Sequence, residues 1–527
     1  MSTPSTSLHV TRLGVAGAGA MGSGIALAAL LSDLPVVLYE VAPPVLERAR
    51  EYIETHLNRK RKAINFKYLT PTSHLEDLAG CPVVIEAIPE DLALKRELFT
   101  RLDGICPPPA ILATNTSTLP VTAIAAAVGM PERVAGMHFF NPAPVLPLVE
   151  IVRGARSSER TIQALVRLAE HLGKTPVIAR DTPGFIVNRV ARPFYGEALR
   201  LLGEGAATHE QIDQIVREGG GFRMGPFELM DLIGIDVNFT ATQSIYEQTF
   251  HEPRYRPHLI QAQLVAQQAF GRKSGRGFYN YGEEQPGTRQ GSLAASNPSL
   301  SAGPVLLQPG NWAPGLDLLL REAGCDPQAV REAGGKAHPR AAFIAAGRAE
   351  NLQASVAELD GWLPTDIPLL CQCVDVTLAE IAGWVEHPNR LVGFDGLFLA
   401  SGAVATLAAG PGLDASFRPV VEQLFRSLHR EVVWIEDSPA LVLPRIVCAL
   451  VNEAAFAAGE GIADAETIDL AMQLGTNYPK GPLGWGKELG YPQVLSVLAH
   501  LQSEFGEERY RPAPLLRRWA RLGNSDP

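Results

Sequence analysis

At 527 residues the chain exceeds what one hydrophobic core organises, so three or four domains are expected. Its 46% apolar and 19% charged content excludes a disordered chain, and a net charge of −10 argues against nucleic-acid or anionic-membrane partners. Six scattered cysteines, whose close pair Cys371 and Cys373 lacks metal or redox spacing, read as reduced cytoplasmic thiols, and no metal site is expected.

The start, MSTPSTSLHV, has neither a basic n-region nor an apolar h-region, so no secretory signal is expected, and the run 397–410 is too short to span a bilayer. Residues 12–17 predict a strand running into Gly17-Ala-Gly19-Ala-Met21-Gly22-Ser-Gly24 and then a helix from Ile25 to Leu31. Strand, glycine loop and helix in that order form a dinucleotide-binding fingerprint. Gly17 permits the tight turn, Gly19 lets the backbone approach a pyrophosphate, Gly22 lets helix and strand pack closely, and the helix N-terminus attracts the anion. The next strand, 35–39, ends at Glu40, 23 residues after Gly17 (40 − 17). A carboxylate there accepts from a ribose 2′-OH and repels a 2′-phosphate, which favours NAD over NADP.

Residues 45–67 follow a helical pattern ending in Arg59-Lys60-Arg61-Lys62, either a solvated face or a clamp for a second anionic ligand. Strand 82–87 precedes Glu90 and Lys95, in the turn and helix after it. Strand 110–113 leads into Asn115-Thr116-Ser117-Thr118, where Ser117 is either a helix N-cap or a ligand contact, because residues just past strand ends face the crevice of an open α/β sheet. Strand 134–137 brings His138 to the same edge. The segment 136–150, GMHFFNPAPVLPLVE, separates His138 from Glu150 by Pro142, Pro144 and Pro147 and is expected to be a rigid loop, neither helix nor central strand. An imidazole and a carboxylate on a stiff connector suit a general base with an orienting partner, while a lone histidine among apolar residues equally describes a core histidine. Helix 161–172 and strand 176–179 complete the first domain. After Asp181-Thr182-Pro183 comes a long helix, 185–202, carrying Asn188, and the pattern stays helical to about Tyr281, which predicts a separate all-α domain.

The motifs GAGAMGSGIA, VIEAIPEDLALK, TNTSTL, HFFNPAPVLPLVE, DTPGFIVNR, MGPFELMDLIG and GRKSGRGFYNY, in this order, resemble the 3-hydroxyacyl-CoA dehydrogenase family over about residues 10–283. The resemblance implies an α/β Rossmann domain followed by an all-α domain, with NAD as hydride acceptor for oxidation of a 3-hydroxyacyl-CoA thioester to the 3-oxoacyl-CoA. By motif position it implies His138 as catalytic base, Glu150 as its partner, and Ser117 and Asn188 as residues that hold substrate and the catalytic geometry. It puts Gly17, Gly19, Met21, Gly22, Glu40, Glu90, Lys95, Asn141 and Lys273 on the cofactor side, and Arg59, Lys60 and Lys62 on an arm that binds CoA. Glu40 stands where many members carry Asp, with the same acceptor chemistry.

Residues 284–303, rich in Gly, Ser, Pro and Gln, read as a linker, and beyond them the first half recurs as a degenerate second copy. Asp181-Thr182-Pro183 returns as Asp437-Ser438-Pro439, an offset of 256 (437 − 181), at which Arg189, Glu197, Gly205, Asp213 and Gly225 match Arg445, Glu453, Gly461, Asp469 and Gly481. At 257 (381 − 124), Ile124, Pro131, Arg133 and Gly136 match Ile381, Pro388, Arg390 and Gly393. His138 has become Asp395, Asn188 has become Pro444, no acid between Thr406 and Gly412 replaces Glu150, and GPVLLQPGNWAPGL has lost the glycine fingerprint. The shorter spacing to the strand at Ala341 leaves out the basic arm.

The expected division is a Rossmann domain at 1–183, a helical domain at 184–283, the linker 284–303, a Rossmann-like remnant at 304–436 and a second helical domain at 437–527. The rear half should neither bind NAD nor catalyse. Its helical domain is expected to pack on the first in cis, mimicking the dimer of short family members, and further homo-oligomerisation stays open. The tandem layout resembles long bacterial members acting on 3-hydroxybutyryl-CoA or 3-hydroxyadipyl-CoA. Two rival readings are a dehydrogenase of free 3-hydroxy acids and a non-catalytic, crystallin-like NAD-binding protein.

Overall fold

Short apolar runs bounded by Gly, Pro or charge build the first sheet: β1 (Leu13–Ala16), β2 (Val36–Tyr39), β3 (Leu69–Thr72), β4 (Val83–Glu86), β5 (Ile111–Thr114), β6 (Val134–Phe139), β7 (Leu148–Arg153) and β8 (Thr175–Arg180). The computed structural model describes residues 10–282, 304–330 and 339–523; the expected linker 284–303 and the first nine residues lie outside them. The strands run in the order β3-β2-β1-β4-β5-β6-β7-β8, parallel except for the antiparallel pair β6–β7. Both faces are apolar, as a sheet covered on two sides requires. Leu13, Val15, Leu38, Val83 and Ile85 pack with α1 (Ala20–Leu31) and Ile53 and Leu57 of α2 (Pro43–Arg59). Val37, Val84, Leu112 and Val134 pack on the other side with Leu98, Phe99 and Leu102 of α3 (Leu92–Ile105). Each such large side chain, fully buried, contributes about 1.5–3 kcal/mol.

Three sequence expectations change here. The segment 136–150 is a loop only in its middle: its ends are β6 and β7, and all three prolines fall between them, where no ladder N–H is needed. The helical pattern 45–67 stops as a helix at Arg59, because Arg61 turns left-handed (φ 57°) and the buried Asn65 amide bonds the Leu30 carbonyl at 2.7 Å and the Asp33 carboxylate at 2.8 Å. The expected helix 185–202 is two helices, Val187–Val190 and Arg192–Gly203, with Pro193 in the first turn of the second, where a missing N–H costs nothing.

A second sheet comprises β9 (Pro304–Gln308), β10 (Asp326–Ala329), β11 (Ala342–Ile344), β12 (Leu369–Gln372), β13 (Leu391–Phe394), β14 (Val404–Ala409) and β15 (Glu431–Ile435). Its order, β10-β9-β11-β12-β13-β14-β15, matches the first without an edge strand equivalent to β3, and β13–β14 is again the antiparallel step.

The chain groups into two bodies, Met1–Val190 with Ala457–Gly481, and Ala191–Phe456 with Pro482–Pro527. Helix Ala465–Thr476, which the sequence division gives to the rear domain, therefore belongs with the first sheet. In that body the Arg180 N–H donates to the Ile462 carbonyl at 3.0 Å, Arg189 pairs with Glu460 at 2.8 Å, and Gly475 lies against Leu148 and Val187. In the second body the Glu436 N–H donates to the Ala206 carbonyl at 2.9 Å, and the fully buried Arg445 pairs with Glu204 at 2.7 Å and Glu197 at 2.9 Å. The Tyr255 hydroxyl donates to Glu453 at 2.6 Å and that of Tyr510 to Glu197 at 2.7 Å. Left-handed pairs precede both long helical regions, Gly184 and Phe185 (φ 78° and 48°) and Ala440 and Leu441 (φ 61° and 52°). Among the described residues no helix is long and apolar enough to cross a membrane.

Asp395, at the end of β13, is buried and accepts amide N–H bonds from Leu397 at 3.0 Å and Phe398 at 3.3 Å. Burial outweighs those bonds and pushes its carboxyl up to about 7. The folded protein then keeps a proton that the unfolded chain sheds near the ordinary aspartate value, so stability falls as pH rises through that window and levels off above it. Urea unfolding from pH 4 to 8 should show Asp395→Asn removing a slope on the order of 1 kcal/mol per pH unit.

Candidate active site

The site begins where β1 meets α1. Gly17 has φ 107°, and a Cβ there would sit 2.7 Å from the Ala87 carbonyl oxygen; a Cβ on Gly22 would lie 1.8 Å from the Gly17 oxygen. Over Gly19 nothing stands within 4 Å, and Met21 follows half-buried in the first turn of α1. At the end of β2 the Glu40 carboxylate accepts the Ala18 N–H at 2.9 Å and the Ala42 N–H at 3.1 Å, which fixes it against the loop. Open space above a glycine, a 12-residue helix starting at that space and a fixed acid fit the pyrophosphate and ribose of a dinucleotide.

At the end of β4 stands a charge network that the sequence reading only half found. The side chain of Lys95 is 1% exposed, and its ammonium is held by Glu86 at 2.6 Å and Glu90 at 3.2 Å. Glu86 also accepts from the Thr114 hydroxyl at 2.6 Å and the Ile88 N–H at 2.8 Å. Burial drives the Glu86 carboxyl upward against the pull of Lys95. Burial alone would raise Glu90 too, yet Lys95 and the donors of the 116–118 turn hold it below the ordinary carboxylate range. One Glu90 oxygen accepts the Thr116 hydroxyl at 2.6 Å and the N–H groups of Ser117 and Thr118 at 2.8 and 3.1 Å. Ser117 is therefore not an N-cap: Pro120 caps the helix Val121–Ala125, and the Ser117 hydroxyl reaches Glu90 at 3.2 Å. The Asn188 amide meets the Ser117 carbonyl at 3.5 Å, so these two sequence candidates do come together.

His138 and Glu150 are direct cross-strand partners in the β6–β7 ladder. The Nδ1 of His138 lies 2.7 Å from Oε2 of Glu150, and Oε1 accepts the Ile186 and Val187 N–H groups, each at 3.0 Å. A carboxylate partner puts the proton on Nδ1 and leaves Nε2 with its lone pair, and among the described residues no group bonds Nε2. Phe140 and Phe185 flank the imidazole, with ring centroids 4.5 and 5.9 Å away. A buried base with an orienting acid and a free nitrogen can remove a proton from an alcohol.

The remaining candidates are more dispersed. Asn141 is exposed in the turn after β6. Lys273 belongs to the second body, where it pairs with Asp236 at 2.6 Å. Arg59, Lys60 and Arg61 are exposed and make no ion pair among the described residues, whereas Lys62 is tied to Asp33 at 3.0 Å. Three residues of the site escaped sequence reasoning. Asn115 accepts the Phe139 N–H at 2.8 Å next to the histidine, and Asp181 accepts the Val121 and Thr122 N–H groups at 3.0 and 2.7 Å. Glu86 carried a signal, being a charge inside an otherwise apolar strand.

The model of the 3-hydroxyacyl-CoA dehydrogenase NAD-binding domain matches residues 12–182, and that of the family's C-terminal domain matches two stretches, 184–281 and 441–526. The chain is 38% identical over 524 residues, 98% of each protein, to an Escherichia coli protein named 3-hydroxyadipyl-CoA dehydrogenase. Over 288 residues, 52% of this chain and 91% of the other, it is 40% identical to the human mitochondrial hydroxyacyl-coenzyme A dehydrogenase. A crystal structure titled 3-hydroxybutyryl-CoA dehydrogenase from E. coli superposes with a TM-score of 0.79 at 36% identity, covering 98% of this chain and 99% of that one.

Removing Glu150 strands two buried N–H groups and the imidazole at once. Glu150→Ala should lose about 2–5 kcal/mol of stability in urea unfolding, and Glu150→Gln, which keeps an acceptor oxygen, less than half of that.

Proposed function

The chain belongs to the 3-hydroxyacyl-CoA dehydrogenase family, and from that premise we propose how its residues divide the work of oxidising a 3-hydroxyacyl-CoA to the 3-oxoacyl-CoA. The carrying observation is the His138–Glu150 pair at 2.7 Å, with Nε2 left free, on the sheet that bears the glycine loop. His138 takes the proton of the 3-hydroxyl on Nε2, and Glu150 holds Nδ1–H and stabilises the imidazolium that forms. Positioned base catalysis of this kind supplies about 10²–10⁴-fold, or about 3–5 kcal/mol. NAD, when bound, supplies the hydride acceptor. Gly17, Gly19, Met21 and Gly22 with the start of α1 would hold its pyrophosphate and Glu40 a ribose, while Glu90, Lys95 and Asn141 would complete the cofactor side. Ser117 and Asn188 hold the substrate's oxygen atoms. Arg59 and Lys60 meet the CoA phosphates, giving a net-acidic protein the local positive charge that a polyanion needs, and Lys62 through Asp33 steadies that arm. The names of the relatives favour a short acyl chain, with or without a distal carboxylate, and six free thiols fit a reducing cytoplasm.

The second half is part of the same proposal: a spent copy whose helices brace the first as a partner subunit would, on the domain division 1–183, 184–283, 304–436 and 437–527. Its support is reciprocity at an offset of 256. Arg189–Glu460 recurs as Arg445–Glu204, Arg180-to-Ile462 as Glu436-to-Ala206, and the left-handed pair at 184–185 as that at 440–441. Tyr255–Glu453 answers Tyr510–Glu197 with the tyrosine one residue out of step, at 255 (510 − 255). A non-glycine residue at positive φ is costly, so its presence at both Phe185 and Leu441 supports this reading.

In NADH oxidation with acetoacetyl-CoA, His138→Gln should lose at least about 100-fold in turnover with NADH affinity unchanged, and Glu40→Ala should weaken NADH binding; the reverse pattern would sink the assignment. A chain ending at Tyr281 should dimerise or unfold, as seen by light scattering and circular dichroism, and a fully active monomer would remove the bracing role.

A further inference from the structure

We infer that Glu86 is a positioning residue for the reaction, acting through Lys95 and Glu90 on the turn that carries Ser117. The inference rests on the reading of the rear half as a spent copy, which lets the chain be compared with itself.

The relevant trio is Glu86, Lys95 and Thr114, with side chains 0%, 1% and 0% exposed. The strand ladders locate its equivalents. Val84 pairs with Leu112 in the first sheet and Ala342 with Leu369 in the second, and Leu369 is Leu112 displaced by 257 (369 − 112). Two residues further on, Glu86 falls on Ile344 and Thr114 on Cys371. The following helix is aligned by an ion pair that recurs at the same offset, Arg133–Asp103 and Arg390–Asp360, both at 2.6 Å, so Lys95 falls on Leu352. Ile344, Leu352 and Cys371 are all 0% exposed.

The same pocket of the fold is thus filled once by an acid, an ammonium and a hydroxyl, and once by apolar side chains. Replacing a buried ion pair with well-packed hydrophobic residues is often neutral or stabilising, so the fold has no need of the charges. The two ion pairs also sort differently. The Arg133–Asp103 pair, which ties a helix to the sheet, survives in the rear half. The Glu86–Lys95 pair is gone there, together with the counterparts of His138, Ser117 and Asn188, now Asp395, Val374 and Pro444.

Geometry says what the pair does. A single Glu90 carboxylate gathers the 116–118 turn through one oxygen, and Lys95 holds the other at 3.2 Å. Glu86 holds the same ammonium at 2.6 Å, so the position of Lys95 against Glu90 is set by both carboxylates. Glu86 itself touches neither Ser117 nor His138; its effect is transmitted.

The test uses the full-length chain with Glu86→Gln, Lys95→Met, the two combined, and the apolar pair Glu86→Ile with Lys95→Leu. The readouts are thermal midpoint, NADH affinity by nicotinamide fluorescence, and kcat and KM for acetoacetyl-CoA reduction. The apolar pair should melt at or above the wild type yet lose about tenfold in NADH affinity or kcat. Glu86→Gln should cost about tenfold in the same quantities, and less than about twofold once Lys95 is already Met, which is the signature of action through that lysine. Kinetics and affinity of Glu86→Gln within twofold of wild type would overturn the inference, as would an undiminished effect in the Lys95→Met background. So would an apolar pair whose activity falls only in step with its melting point. NADH titration needs no turnover: a wild type that binds NADH but leaves acetoacetyl-CoA untouched would defeat the proposed reaction, and the NADH cycle would still decide the role of Glu86.

Discussion

Between β6 and β7 the first sheet reverses direction once, and that reversal puts His138 opposite Glu150. In a parallel pair the chain would need a long crossover to return; here a proline-bearing turn of eight residues, 140–147, suffices. Side chains alternate along a strand, so a register shift of one residue would turn Glu150 to the opposite face and leave the imidazole alone. The same carboxylate accepts the N–H groups of Ile186 and Val187, immediately before Asn188. One buried acid therefore sets both the tautomer of the base and the position of the segment that carries the amide. Its two oxygens have no spare role.

Local chemistry was the legible part of the sequence. The glycine loop, Glu40, Ser117 and His138 announce themselves within a few residues of a strand end, because strand, turn and helix N-terminus are short-range constructions. The antiparallel step was hidden, since three prolines in fifteen residues read as a loop and only their confinement to the centre reveals two strands. The break before Arg192 was hidden too: apolar periodicity passes straight through it, and Pro193 is equally at home in the first turn of a helix. Lys95 shows the limit of motif position, which indicates where a lysine sits but not that two carboxylates keep it from solvent. Burial of charge is a long-range outcome, and nothing adjacent to Lys95 in sequence encodes the distance to Glu86.

The two sheets make the comparison that a family of sequences would otherwise supply. Asp181 and Asp437 each accept two N–H groups at the start of a short helix, Val121 and Thr122 in one case, Leu378 and Ala379 in the other. Such bonds hold the same local architecture in both sheets. The carboxyl of Asp395, 257 positions after His138, is by contrast pushed upward by burial and accepts from the nearby amides of Leu397 and Phe398. There it fills space and satisfies the backbone donors of Leu397 and Phe398.

The bond from Arg180 to Ile462 joins residues 282 positions apart (462 − 180). A ribosome adding about 5–20 residues per second completes that interval in roughly 15–60 s. For that time β8, the last strand of the front sheet, emerges without the helix Ala465–Thr476 that later lies beside it. An edge strand without its cover is a template for pairing with other chains. A sheet that takes its last neighbour from residues 457–481 thus leaves β8 exposed while the intervening chain is made, and the front sheet is completed only late in synthesis.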